Sequence, residues 1–193
     1  YVLEEAELAA FDYLSNNAFQ QRFVEDAIVR PNAFVRNEGT IGVRNLVESR
    51  LEVGTLVNEA GAALLNSSVV SLASLTNRGT LKNRAGAQLT VAGTLSNEGG
   101  LVENRGHISL EGGQVYRQTG ADAVTRVDGV LQAQRVELLG GTLTGSGLIS
   151  ADMNIGAGAV LAPGNSPGTL TIEGGLFAQQ DSEILIEIAG DET

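Results

Sequence analysis

The 193-residue chain has no cysteine and no tryptophan, only three prolines and one histidine, and aromatic residues make up just 4% of it. Without cysteine there are no disulfides and no thiolate metal sites. A lone histidine, His107, cannot build a typical zinc site or supply several members of a catalytic constellation. Basic residues are also scarce: 12 Lys and Arg against 23 Asp and Glu leave a net charge of −11. Binding a phosphate backbone needs clustered Lys and Arg, so no nucleic-acid partner is expected. The acidic balance instead keeps a long surface soluble. No apolar run approaches the ~18 residues of a membrane-spanning helix, so none is expected. Few aromatics together with 25 glycines point to a thin, regular core filled by Leu, Val, Ile and Ala.

What the sequence does contain is a repeated phrase. Breaking the chain at Asn37, Asn58, Asn77 and Asn97 gives lines of 21, 19, 20 and 20 residues. The third and fourth read NRGTLKNRAGAQLTVAGTLS and NEGGLVENRGHISLEGGQVY. An apolar or small residue stands four places after each Asn (Ile41, Ala62, Leu81, Leu101), and alternating apolar pairs follow (Val70/Leu72, Leu89/Val91, Ile108/Leu110). A fixed period of this length signals stacked supersecondary units. Alternation puts one set of side chains on one face of an extended strand, and the intervening Gly and Asn supply the corners. The expected fold is therefore all-β: a parallel β-helix, or β-solenoid, of about 20-residue coils. Equal places in successive lines then stack, so Asn37, Asn58, Asn77 and Asn97 form a structural ladder of side-chain amides. The neighbouring column Glu38, Glu59, Arg78, Glu98 sets an arginine between carboxylates. Counting lines gives roughly seven to eight coils and a rod on the order of 35 Å at the usual strand spacing.

The two ends use a different grammar. Residues 1–31 are Glu-rich and nearly free of Gly, with Leu3, Ala6, Ala10 and Leu14 at helical spacing, Phe11 beside them, and Phe19, Phe23 and Ala27 following. Asn17 and Gln20 have capping-box spacing and Pro31 reads as a stop. This segment is expected to be a short N-terminal helical cap or docking segment, ahead of a solenoid over 32–193. At the other end, Glu183 to Ile188 alternates as a strand with no capping element after it, an edge open to pairing. Leu3, Phe11, Leu14, Phe19 and Phe23, with Ile184, Ile186 and Ile188, are candidate subunit-docking residues.

The segment GGTLTGSGLISADMNIGAGAVLAPGNSPGTLTIEGGL, from Gly140 to Leu176, followed by a strand, resembles a repeat near the end of passenger regions in autotransporters and related large bacterial surface proteins. The stretch Ala162 to Leu170 is its most specific part. The earlier Asn-rich lines resemble haemagglutinin-like β-helices more loosely. The resemblance spans about residues 37 to 188 and implies a right-handed parallel β-helix, export, and an extracellular or bacterial cell-surface location. Family members serve mostly as adhesins or stalks.

No catalytic, cofactor or metal site is expected. Parallel β-helix enzymes that act on polysaccharides use Asp clusters on adjacent coils, but Asp122, Asp128 and Asp152, with Arg117, Arg126 and Arg135 nearby, do not repeat at the coil period. Thr142/Thr144 and Thr169/Thr171 are too few for an ice-ordering face. The functional expectation is a non-enzymatic structural or adhesive segment of a secreted bacterial surface protein that binds a host or cell-surface ligand. The alternative is a filament subunit joined to itself head to tail through its N-terminal segment and open C-terminal coil. A polysaccharide-active enzyme is the remote alternative.

Overall fold

The computed structural model describes residues 13–16, 21–24, 26–164 and 168–186. They form a parallel β-solenoid of about 8 turns. Each turn lays down three strand segments, shown by the turn that starts at Arg50. Residues 50–53 lie on a first face and 55–58 on a second, both within the strand Arg50–Asn58, and Ala63–Asn66 lies on a third. The next turn repeats this with Val69–Asn77 and Thr80–Asn83.

All named strand pairs are parallel. The third face is one nine-stranded sheet, while the first and second faces are joined in a twelve-stranded sheet by strands that run through the bend between them. Eight intervals between nine strands, at ~4.8 Å each, give a rod about 38 Å long.

The interior follows from the alternation. Leu51, Val70, Leu89, Ile108, Leu131 and Ile149 stack on the first face in register, and all are buried. Leu56, Leu75, Leu95, Tyr116, Val136 and Met153 do the same on the second. No segment could bury this stripe alone; each turn supplies the apolar cover and the backbone partners of the next.

The helical cap is corrected within the described residues. Tyr13–Asn16 pairs with residues 34–37, Gln21–Val24 pairs with Thr40–Val43, and Ala27–Asn37 is a single strand that continues across Pro31. Val24 and Ile28 are buried, whereas Ala27 and Val29 are exposed. The period is thus two rather than 3.6, because the edge of the following turn offers a complete set of backbone partners and outweighs weak helical spacing. Pro31 is tolerated at an exposed bend, where the register shifts between Arg30 and Phe34. The proposed capping pair Asn17 and Gln20 lies outside the described residues.

The rule that an apolar residue stands four places after each Asn holds in two lines and slips in two. Ile41 and Leu81 point inward in one column with Leu64 and Val102, not with Ala62 and Leu101. The slips come from Gly61 and Gly99, whose φ of 81° and 76° lengthen the corner by left-handed residues that only glycine adopts cheaply. Leu101 is thereby turned partly outward.

Candidate functional site

Inside the rod, the four asparagines make one continuous chain of amide bonds. Asn37 Nδ2 donates to Asn58 Oδ1 at 2.7 Å, Asn58 to Asn77 at 2.8 Å, and Asn77 to Asn97 at 2.9 Å. All four side chains are fully buried. Each Nδ2 also reaches a backbone carbonyl of a following corner or strand, such as Ala63 O from Asn37 and Thr80 O from Asn58. The ladder thus ties the end of the second face to the start of the third. Gln118 takes the next place in the column and closes it: Thr125 Oγ1 bonds Gln118 Oε1, and Tyr116 OH shares a short contact with the same Thr125 oxygen. Beyond Gln118 the column is apolar, Leu138 and then Ile155.

A second ladder escaped the sequence reading. Asn66 Nδ2 donates to Asn83 Oδ1, and Asn83 to Asn104, each at 2.9 Å, at the end of the third face. Asn104 Nδ2 ends it on Val130 O at 2.7 Å. The signal was present in NRAG and ENRGH, which repeat the Asn-x-Gly flavour of the first ladder within the same lines.

On the outside, charges alternate along the axis. Arg36 and Arg78 both reach Glu59, at 3.0 and 3.2 Å, and Arg78 continues to Glu98 at 3.0 Å. Partial burial would raise the Glu59 carboxyl, but hydrogen bonds and charge from Arg78 and Arg36 outweigh it and hold the group below its ordinary value. Lys82 pairs with Glu103, and Arg117 with Glu137. Such exposed pairs contribute only ~0.2–1 kcal/mol each and act on register more than on stability.

The first face carries a different surface. Its outward column runs Glu52, Ser71, Thr90, Ser109, Gln132, Ser150. Where this face bends toward the second, small side chains at Ala73 and Ala92 leave a shallow groove of about 330 Å³ along the axis, with Glu52 and Glu111 on its lining. The residues that build this groove were not singled out by the sequence, because its shape arises from the bend and from side-chain size rather than from a motif.

The carboxylates considered for catalysis are dispersed. Asp128 pairs with Arg126 at 2.6 Å and accepts from Ser146 N, Asp152 accepts from Gly175 N at 2.8 Å, and Asp122 is exposed at a turn. Arg117 and Arg135 both reach Glu137. His107 sits half-buried on the first face between Gln88 and Val130. Among the described residues no group of three His, Asp or Glu could hold a metal ion, and no helix is long and apolar enough to cross a membrane.

Of the docking candidates, Leu3, Phe11, Phe19 and Ile188 lie outside the described residues. Leu14 stands opposite Val35 in the first described strand. Phe23 is half-buried with the Arg44 guanidinium 4.6 Å from its ring centre, a cation–π contact. Ile184 and Ile186 are exposed at 39% and 74%. Of the PGNSPGTL stretch, residues 165–167 lie outside the described residues. Pro163 extends the third face beside Gly145, and Thr171 resumes the first beside Leu148. No family model, no curated protein and no solved structure matches this chain.

Proposed function

We propose that this chain is a rigid structural segment of a secreted bacterial surface protein, a stalk that holds an adhesive surface at a fixed distance. The observation that carries this reading is the pair of buried asparagine ladders. A ladder locks each turn to the next by directional bonds, so the stack resists slipping and bending in a way that apolar contacts alone do not. The ladders hold the four turns that begin at Asn37, Asn58, Asn77 and Asn97, apolar columns such as Leu138 and Ile155 carry the stack on, and the resulting length of about 38 Å at the strand spacing suits a spacer. The surface location rests on the resemblance of the Gly140 to Leu176 segment to passenger repeats.

A second reading has its own observation. Leu176 and Ile184 continue the inward columns of Met153 and Leu161, which are 0% and 1% exposed, yet they are themselves 45% and 39% exposed. A face of this kind is covered either by further turns or by a second copy joined head to tail. Electron microscopy of the purified chain across a range of concentrations tests both. Short rods of one length at every concentration are expected for the stalk. Fibres that lengthen with concentration would overturn it in favour of the filament, and flexible or collapsed particles would overturn both.

A further inference from the structure

The groove between the first and second faces has a chemical pattern that the stalk role does not use. Glu52, Ser71 and Thr90 occupy successive places of one outward column, and Ser109 is the next. Glu111 lies two residues beyond Ser109, so the two carboxylates are three turns apart, about 14 Å along the axis at the strand spacing. The rest of the lining includes the methyl groups of Ala73 and Ala92 and the hydroxyls of Ser71 and Thr90, with Val53 and Leu72 behind them and Pro31 at one end, and no basic residue lines the groove. Most carboxylates on the second and third faces are committed: Glu59, Glu98, Glu103 and Glu137 each have a Lys or Arg partner. No ion pair occupies Glu52 or Glu111 among the described residues.

Acid at both ends and methyl groups with neutral acceptors between them is the complement of a narrow chain carrying cations at its ends and methylenes in its middle. The geometry points to this groove as a binding site for a linear polyamine, lying along the rod axis with one ammonium at Glu52 and another at Glu111. The hydroxyls of Ser71 and Thr90 accept from an internal ammonium, and the alanines leave room for the methylene chain. The overall charge of −11 raises the local concentration of any polycation, but only the groove gives it a register.

The test is isothermal titration of the whole chain with spermine at low ionic strength. One site per chain is expected. The double variant Glu52→Gln/Glu111→Gln should weaken it about tenfold, as loss of two partly exposed charge pairs implies. Glu98→Gln/Glu103→Gln, which removes the same charge from the other faces, should change it less than about twofold. A short diamine that cannot reach both carboxylates should bind about tenfold more weakly than spermine. Equal losses in the two double variants, many weak sites, or no measurable binding would each overturn the proposal. None of these outcomes bears on the rod lengths that test the stalk reading.

Discussion

Asn77 sits in the middle of the first ladder, and its replacement by alanine shows what the ladder contributes. The side chain accepts from Asn58 and donates to Asn97 Oδ1 at 2.9 Å, with longer bonds to Gly79 O and Leu101 O at 3.2 Å each. Asn58 keeps a second acceptor in Thr80 O, so its amide is not stranded. Asn97 Oδ1 loses the amide that reaches it from Asn77, in a site with no solvent access. A buried polar group left unpaired costs about 1–3 kcal/mol, and the removed amide leaves a small void as well. The expected loss for Asn77→Ala is about 3 kcal/mol, read by guanidinium unfolding followed by far-ultraviolet circular dichroism. Arg78→Ala, one residue away, removes two exposed ion pairs and should cost no more than about 1 kcal/mol for each. The reasoning is refuted if the two variants lose the same stability. Leu138 and Ile155 hold the same column in later turns, so an apolar side chain fits this place. Replacing all four asparagines by leucine should therefore cost less than four times a single Asn77→Leu change, because no ladder side chain is then left without its partner and only the backbone groups it served, such as Gly39 N and Thr80 O, lose one.

Three other perturbations follow from the same packing. A Cβ at Gly106 would lie 2.3 Å from Ala87 O and 2.9 Å from Asn83 Nδ2, so Gly106→Ala should lose about 1–3 kcal/mol through overpacking; a thermal melt unchanged from wild type would contradict this. Burial raises the Tyr116 phenol far above its ordinary value of 10.0, with the Thr125 bond a smaller opposing effect. Its contribution is thus complete below pH 10 and is lost above it, as the unfolded chain alone ionises, so ultraviolet titration should show one tyrosine that ionises only on unfolding. Glu59 is held below its ordinary value, so its contribution is present at neutral pH and fades as pH falls through the carboxylate range. Glu59→Gln should therefore flatten the acid limb of the stability curve, by no more than ~1 kcal/mol for each of its pairs with Arg36 and Arg78.

The parts of the molecule that could be read in advance are those in which one residue type recurs at one place in each turn. Asn37, Asn58, Asn77 and Asn97 recur near 20 residues, and the inward pairs Val70/Leu72, Leu89/Val91 and Ile108/Leu110 alternate plainly. The second ladder was harder to see because Asn66, Asn83 and Asn104 are spaced 17 and 21 residues apart. The irregularity reflects corner length, which differs between turns: two residues separate Asn66 from Val69, and four separate Asn83 from Gln88. The segment around Val24 and Ile28 misled for another reason. Local spacing there admits a helix, and only the presence of a stacked neighbour decides for strand. The groove lies beyond a sequence reading because it depends on where Ala73 and Ala92 fall relative to a bend.

The central claim is that successive turns are locked in register into a rod that does not flex. Without native cysteine, nitroxide labels can be placed at will. Val57, Thr76, Ser96, Arg117, Glu137 and Asn154 form one outward column on the second face, so Val57→Cys with Asn154→Cys puts labels five turns apart. Pulsed electron–electron resonance should give a narrow distribution centred near 24 Å at ~4.8 Å per turn, shortening in equal steps as one label moves inward along the column. A broad distribution, or a distance that does not scale with the number of turns, would contradict the claim.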